Sequence, residues 1–464
     1  MKKSALSMRF LLAFFLLAGV AAVLSVIAHR HLLAISPVAL AVSRWIALAA
    51  FCGYASFKRS VTAWIAAGIL LGAEIGADWP HAAANLQFLS TIFLRLIKTI
   101  IAPLIFSSLV VGIAGHSNIK QVGRMGVKAL IYFEIVTTLA LFIGLAAINI
   151  SKAGTGVTPP AATQPVSAQK QSATDFIVKI FPENIAKSIA EGQVLQVVVF
   201  SIIFAFALAL VAEQRRRPLL EFFEGFSETM FKFTNIVMWF APIGVLGAIA
   251  YTVGTMGFGI MLNLLKLIAT LYAALFVLVL GVFLPIALIA RLPLKRFLRA
   301  IAEPVSIGFA TASSEAALPR AMEAMEAFGV PRQIVAFVLP TGYSFNLDGA
   351  SLYVSLAAMF VAQAAGAHLT FGEQLVMVFT LMLTSKGVAG VPRASLVIVM
   401  GTVDQFHLPT WPVVILLGID QIMDMGRTGI NVIGNCLATA VIARWEGELG
   451  KEAASDVVMD AVAQ

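Results

Sequence analysis

Leu417-Gly418-Ile419-Asp420-Gln421-Ile422-Met423-Asp424-Met425-Gly426-Arg427-Thr428-Gly429-Ile430-Asn431-Val432-Ile433-Gly434-Asn435 is an apolar stretch whose polar residues recur at helical spacing. At about 100° per residue on an α-helix, Asp420, Asp424, Arg427, Thr428, Asn431 and Asn435 fall within an arc of roughly 100°. Residues 410–443 as a whole exceed the roughly 20 residues that a bilayer-spanning helix needs. A charge at mid-bilayer costs at least about 2.5–3.5 kcal/mol, so such residues face a cavity or a bundle interior. One wall of this helix therefore lines something polar. It offers a carboxylate for an ammonium group, a guanidinium fork for a planar carboxylate, and amides between them. A zwitterion with an extra acid group is complementary to that wall. The plainer alternative is an internal Asp424–Arg427 ion pair that only fastens helices, which leaves Thr428, Asn431 and Asn435 on the same wall without a purpose.

The rest of the chain fits a membrane setting. It has 464 residues, of which 60% are hydrophobic and 12% charged, with a mean hydropathy of +0.93. A soluble domain carries about 25% charged residues. The net charge of +8 does not point to nucleic acid. Its basic residues sit in short clusters between apolar runs, as the positive-inside rule requires. Cys52 and Cys436 each lie inside an apolar run and read as packing residues rather than a disulfide or metal framework. Met1-Lys2-Lys3 followed by an apolar run could mimic a signal peptide, but the run from Phe10 to Ala28 is too long and an uncleaved first helix is expected.

Apolar spans fall near residues 8–28, 37–56, 61–78, 88–114, 126–150, 193–212, 228–253, 262–290, 331–366 and 410–443. Lys2/Lys3/Arg9, Lys58/Arg59, Lys120/Arg124/Lys128, Arg215-Arg216-Arg217, Arg291/Lys295/Arg296/Arg299 and Arg444 can then all face the cytoplasm with strict alternation. Both termini are cytoplasmic on this reading, and the Pro/Thr/Ser/Gln-rich residues 151–175 form an outer loop.

Two segments break the pattern. Residues 300–329 and 370–405 are interrupted by Thr311-Ala312-Ser313-Ser314-Glu315 and by Thr384-Ser385-Lys386-Gly387-Val388-Ala389-Gly390-Val391-Pro392. Each fits a re-entrant hairpin, since irregular backbone at membrane depth is tolerated only under protein or in a water-filled cavity. Interfacial helices with Ser/Gly loops are the alternative. A third break is Pro340-Thr341-Gly342-Tyr343-Ser344-Phe345-Asn346-Leu347-Asp348-Gly349-Ala350-Ser351. Here Gly342 and Gly349 are expected to let a helix unwind, and its released carbonyls with Asn346 and Asp348 suit a hard cation; a kinked helix with satisfied polar groups is the alternative.

The segments 312–319, 346–353, 387–392 and 424–435 together resemble the dicarboxylate/amino acid:cation symporters, which include the glutamate transporters. The resemblance covers residues 61–447 in order. It implies an all-α elevator-type homotrimer in a bacterial-type inner membrane, whose protomer carries two re-entrant hairpins and a broken helix. Residues 1–60 would be an extra two-helix segment and 61–299 mainly scaffold. Residues 300–447 would form the transport core and 448–464 a cytoplasmic tail. Carried over position by position, Arg427 holds the substrate's side-chain carboxylate, and Asp424 with Thr428 its amino group. Asn431 and the Ser313–Ser314 tip take the α-carboxylate. Gly390 and Val391 belong to the outer gate. Ser351 neighbours Ala350, where the family often has Thr or Ser.

The coupling ion would be met by Gly342, Ser344, Asn346, Asp348, Asn435, Glu134, Thr137 and Glu315, with Asn346 and Asp348 as the place for sodium. Sodium-driven members have Asp, Tyr and Thr where this chain has Asn435, Phe133 and Val136. The pattern Phe133-Glu134-Ile135-Val136-Thr137-Thr138 is instead similar to proton-driven bacterial glutamate carriers. The expectation is uptake of L-glutamate or L-aspartate with a proton, with sodium coupling and C4-dicarboxylate transport as alternatives. Arg393 at the outer gate and the missing second arginine (Ala312 and Met425 occupy its places) leave specificity open. No cofactor and no nucleic-acid partner are expected.

An intramembrane aspartyl protease would also use two membrane carboxylates, here Asp348 and Asp424. Arg427, one turn from Asp424, would suppress the shared-proton chemistry of such a dyad, so no enzyme is expected. A passive channel is the more serious rival, because polar helix walls also line pores.

Overall fold

The computed structural model describes residues 2–30, 33–114, 119–157, 178, 181–191, 193–257, 259–385 and 394–450. Every regular element among them is helical. In lipid each backbone N–H and C=O must find its partner within the protein, and a helix does this within one segment. In order the helices are α1 (Lys2–His29), α2 (Pro37–Lys58), α3 (Val61–Asp78), α4 (Pro80–Asn85), α5 (Gln87–Ala114), α6 (Ile119–Ser151), α7 (Ile185–Ala190), α8 (Val194–Leu210), α9 (Glu213–Met238) and α10 (Ala241–Met256). They continue with α11 (Ile260–Leu278), a π turn (Val279–Phe283), α12 (Leu284–Ile289), α13 (Leu294–Thr311), α14 (Ser314–Phe328), α15 (Arg332–Phe345), α16 (Asp348–Ala364), α17 (Phe371–Thr384), α18 (Ala394–Gln405) and α19 (Trp411–Glu446). Local sequence explains several starts. Ser36 accepts from the Ala39 amide, and Thr370 with Glu373 forms a reciprocal capping box at α17.

Among the described residues seven helices are long and apolar enough to cross a membrane, or eight with one bent pair. Sequence alone suggested more, and the difference is local. Residues 193–212 give α8, a helix of only 17 residues. The expected single span 228–253 is not one helix: α9 and α10 meet at Trp239–Phe240 with a 48° bend. Pro242 at the start of α10 has no N–H to continue the ladder of α9. The long α19 stays continuous but carries the ionised groups.

The helices pack around one continuous buried core, within which two sets of contacts stand out. In one, α3 lies along α10, and α5 contacts α8, α9 and α10. Gly68, Gly72 and Gly76 make the α3–α10 seam possible, since a Cβ there would come within 2.5–2.8 Å of the carbonyls of Pro242, Leu246 and Ala250. In the other, α19 is surrounded by α13, α15, α16 and α11, with α6 packed on α16. Helix α16 is buried along nearly its whole length. The two broken segments place α13 against α14 and α17 against α18 within this second group.

Candidate functional site

Arg427 is 1% exposed, and its guanidinium is bonded along both edges. Nε donates to Asp424 Oδ1 at 2.7 Å, and Nη1 and Nη2 donate to the two oxygens of Asp420 at 2.9 and 3.4 Å. Its flat face lies 4.0 Å from the centre of the Tyr353 ring. Thr428 Oγ1 donates to the same Asp424 oxygen at 3.3 Å. Asp420, Asp424 and Arg427 recur at intervals of four and three, and Asp420 is two turns from Arg427, so one helix face carries all three. Taking an ion out of water costs several kcal/mol even after relaxation. The three-residue cluster holds one positive and two negative groups.

The cluster rests on the break in the neighbouring helix. Only Asn346 and Leu347 separate α15 from α16. Gly342 and Gly349, expected to unwind the helix, sit inside the flanking helices, and their role is close approach. A Cβ on Gly342 would lie 2.0 Å from Asn435 Oδ1, and one on Gly349 would lie 2.2 Å from the Arg427 carbonyl oxygen. Asn431 Oδ1 accepts from the Gly349 and Ala350 amides at 2.8 and 3.2 Å, so α19 caps the free N–H groups that begin α16. Asn346 Nδ2 bridges Asp348 Oδ2 at 3.2 Å and Asn435 Oδ1 at 3.3 Å. All three residues of this second cluster are fully buried, and Asn346 Oδ1 has no hydrogen-bond partner among the described residues. That oxygen suits a cation or a proton donor.

The first broken segment approaches from another side. Ala312 takes a left-handed φ of 51°, which reverses the chain between α13 and α14. Ser313 caps α14 by accepting from the Ala316 amide at 3.3 Å, and Ser314 is buried. One turn before the reversal, Gly308 faces Val432 and Thr428 of α19. Ser351 and Thr137 are buried; the Thr137 hydroxyl donates to the Phe133 carbonyl at 2.7 Å, while Ser344 is half-buried. Phe133 reaches Gly342, so α6 closes the second cluster with an aromatic edge. The three carboxyls expected to meet the coupling ion differ in burial. Asp348 is fully buried, Glu134 is half-buried, and Glu315 is exposed in the first turn of α14 rather than enclosed. Gly390, Val391, Lys386 and Arg393 lie outside the described residues, as does the tail beyond residue 450.

The match to the sodium:dicarboxylate symporter family model spans residues 61–445. The chain belongs to that family. This symporter family member is 40% identical over 413 residues to a proton/sodium-glutamate symport protein of Bacillus subtilis (strain 168), covering 86% of this chain and 96% of the relative. It is 40% identical over 403 residues to a proton/glutamate-aspartate symporter of Escherichia coli (strain K12), covering 83% and 92%. A C4-dicarboxylate transport protein of Anaeromyxobacter sp. (strain K) is 39% identical over 418 residues, covering 87% and 94%. Such relatives are carriers rather than enzymes, and the helical membrane architecture is that of the family. Two residues of the family member's site were not singled out from sequence. Asp420 was visible on the polar wall, and its spacing of seven from Arg427 was the signal for a direct pair. Tyr353 had no signal, because nothing in its own segment says which residue it stacks on.

Proposed function

We propose that this chain is a secondary active symporter that imports L-glutamate or L-aspartate together with a proton. The carrying observation is the buried Arg427 held between Asp420 and Asp424. A guanidinium has five N–H donors in a fixed fork, and three are engaged by the two aspartates, which leaves two for the substrate's carboxylate. Asp424 and Thr428 then meet the substrate ammonium. Asn431, whose carbonyl caps α16, offers its Nδ2 to the α-carboxylate beside the Ser313–Ser314 turn. The cluster already has one negative charge in excess, and an acidic amino acid adds another. A co-transported cation offsets it, which is a reason for coupling that the charges themselves supply. Asp348, buried against Asn346, is the group assigned to carry the proton, because Asn435, Phe133 and Val136 lack the carboxylate and hydroxyls that sodium-driven members place there.

In this reading the group around α19 is the moving body, α3, α5 and α8 to α10 are the scaffold, and three copies assemble in the inner membrane with cytoplasmic termini. C4-dicarboxylate transport is the second reading, supported by relatives of that name at 39% identity. Uptake into proteoliposomes tests both. Accumulation of L-glutamate driven by a pH gradient without sodium, with weak competition by succinate, is expected. A requirement for a sodium gradient would remove the proton, and full competition by succinate would remove the amino-acid preference. Asp348→Asn is expected to lose gradient-driven accumulation while retaining exchange of internal for external substrate.

A further inference from the structure

Helices α1 and α2 lie outside the family match, and α2 reaches the rest of the molecule chiefly through α3. That seam is polar at one level. Arg44 of α2 bonds Glu74 of α3 and, at 2.8 Å, Asp78 one turn further on, while Trp45 Nε1 donates to Asp78 Oδ2 at 2.9 Å. One guanidinium serves two acids, so with both ionised the cluster keeps a negative charge in excess. Beside it opens a crevice of about 640 Å³ lined by Val38, Val42, Trp45 and Ile46 of α2 with Asp78 and Trp79. The Trp45 and Trp79 rings are 5.3 Å apart.

The dimensions of the crevice match one leaflet. At about 1.5 Å per residue, Ala49 at its floor lies about 14 Å from Lys58, and Pro37 at its mouth about 32 Å, against a hydrocarbon core of about 30 Å. Asp78 lies about 26 Å along α3 from Val61, near the headgroup level of the leaflet opposite Lys58 and Arg59. An open apolar groove running from the midplane to the interface fits an acyl chain. The Asp78 carboxylate, beside the packed Trp45 and Trp79 rings, fits an ammonium ion, to which aromatic faces are attracted. An anionic headgroup would add charge of the same sign.

We propose that this crevice binds one phospholipid with an ammonium headgroup, of the phosphatidylethanolamine type. Its chain lies along Val42, Ile46 and Ala49, and its ammonium meets Asp78 beside Trp45 and Trp79. The site is independent of which substrate the carrier takes. Native mass spectrometry of the full chain, equilibrated with equal amounts of phosphatidylethanolamine and phosphatidylglycerol, tests it. The wild type is expected to retain one phosphatidylethanolamine with a preference of about fivefold, the size of one cation–aromatic contact at an exposed site. Asp78→Asn removes the headgroup partner, and Val42→Trp fills the groove from a position half exposed to lipid, away from the polar cluster. Both are expected to bring retention to parity while the gel-filtration profile stays as in the wild type; Val42→Trp also keeps the melting temperature, whereas Asp78→Asn lowers it by loosening the Arg44 and Trp45 contacts. Equal retention of the two lipids by the wild type overturns the proposal. A preference that survives Val42→Trp overturns the groove, and one that survives Asp78→Asn overturns the headgroup assignment. If Asp78→Asn does not fold, Val42→Trp alone decides.

Discussion

Arg427 combines two properties that different substitutions separate. Its charge offsets one of the two carboxylates, Asp420 and Asp424, inside the protein, and the two N–H donors they leave can meet the substrate's carboxylate. Arg427→Ala leaves two buried carboxylates without a counter-charge, and removing one partner of a buried pair costs about 3–5 kcal/mol. It is expected to lower the melting temperature and abolish acidic amino-acid uptake together. Arg427→Lys restores the charge without the fork. It should recover most of the melting temperature, yet raise KM for L-glutamate by about tenfold or more, since charged two-point contacts contribute at least about 1.4 kcal/mol. A lysine variant with unchanged KM removes the substrate role and leaves Arg427 as a structural ion. Asn435 permits a complementary test. Asn435→Asp adds a carboxylate next to the Asn346–Asp348 pair, where like charges repel. The variant should melt lower than wild type in sodium-free buffer and recover as sodium is added, because a ligand of the folded state stabilises it by mass action. A melting temperature indifferent to sodium rules out a latent sodium site there.

The contact between α19 and the α15–α16 break depends on glycine at particular places. A methyl on Gly349 would sit 2.2 Å from the Arg427 carbonyl oxygen, and that backbone cannot move without moving the guanidinium. Gly349→Ala should therefore cost about 1–3 kcal/mol or more and lose uptake, while Gly372→Ala, with open space around it, should change neither; equal effects would dismiss the close-approach account. This division of labour was not legible from sequence, because a glycine that unwinds a helix and one that admits a neighbour look alike until residues 78 to 93 positions away are in place. The polar wall of α19 was legible, since charge in a long apolar run is tolerated only where it turns away from lipid. The bend at Trp239–Phe240 was missed although Pro242 signalled it, because hydropathy averages across a proline. At the other end of α19, Glu446 bonds Lys128 at 2.6 Å and Arg124, tying the start of α6 to the last turn of α19. The Lys128 ammonium, with Arg124, holds the Glu446 carboxyl below the usual carboxylate range. A lowered folded-state value means the contact stabilises above the ordinary glutamate value of about 4.3 and is lost as pH falls through the lower one. Glu446→Gln should melt below wild type at pH 7, with the gap closing below about pH 4; a gap constant across that window excludes the linkage.

At the scale of the whole molecule, the helices around α19 and the set formed by α3, α5 and α8 to α10 meet along α10 and α19 and at several smaller contacts. The ion pair between Lys98 of α5 and Asp404 of α18 is one such place, at 2.8 Å across 306 residues, with both side chains partly exposed. It borders a crevice of about 320 Å³ shared by α5, α7 and α18. Lys98 is 11 residues into α5, about 16 Å from its start, whereas Asp404 is at the end of α18 next to the loop. The end of one broken segment thus stands level with the middle of α5, and if the group around α19 slides as proposed, these two residues align in only one of its positions. Partly exposed pairs contribute little to stability, about 0–1 kcal/mol, so this contact can be broken at each cycle without a large barrier. With Cys52 and Cys436 replaced by alanine, Lys98→Cys/Asp404→Cys joined by a short thiol-cleavable linker should stop uptake completely, and reduction should restore it. The same linker on either single variant should leave uptake unchanged. If the joined protein transports at the unlinked rate, the α5–α18 boundary is static and the elevator reading fails, while the substrate site built on Arg427 stands on its own evidence of charge and burial.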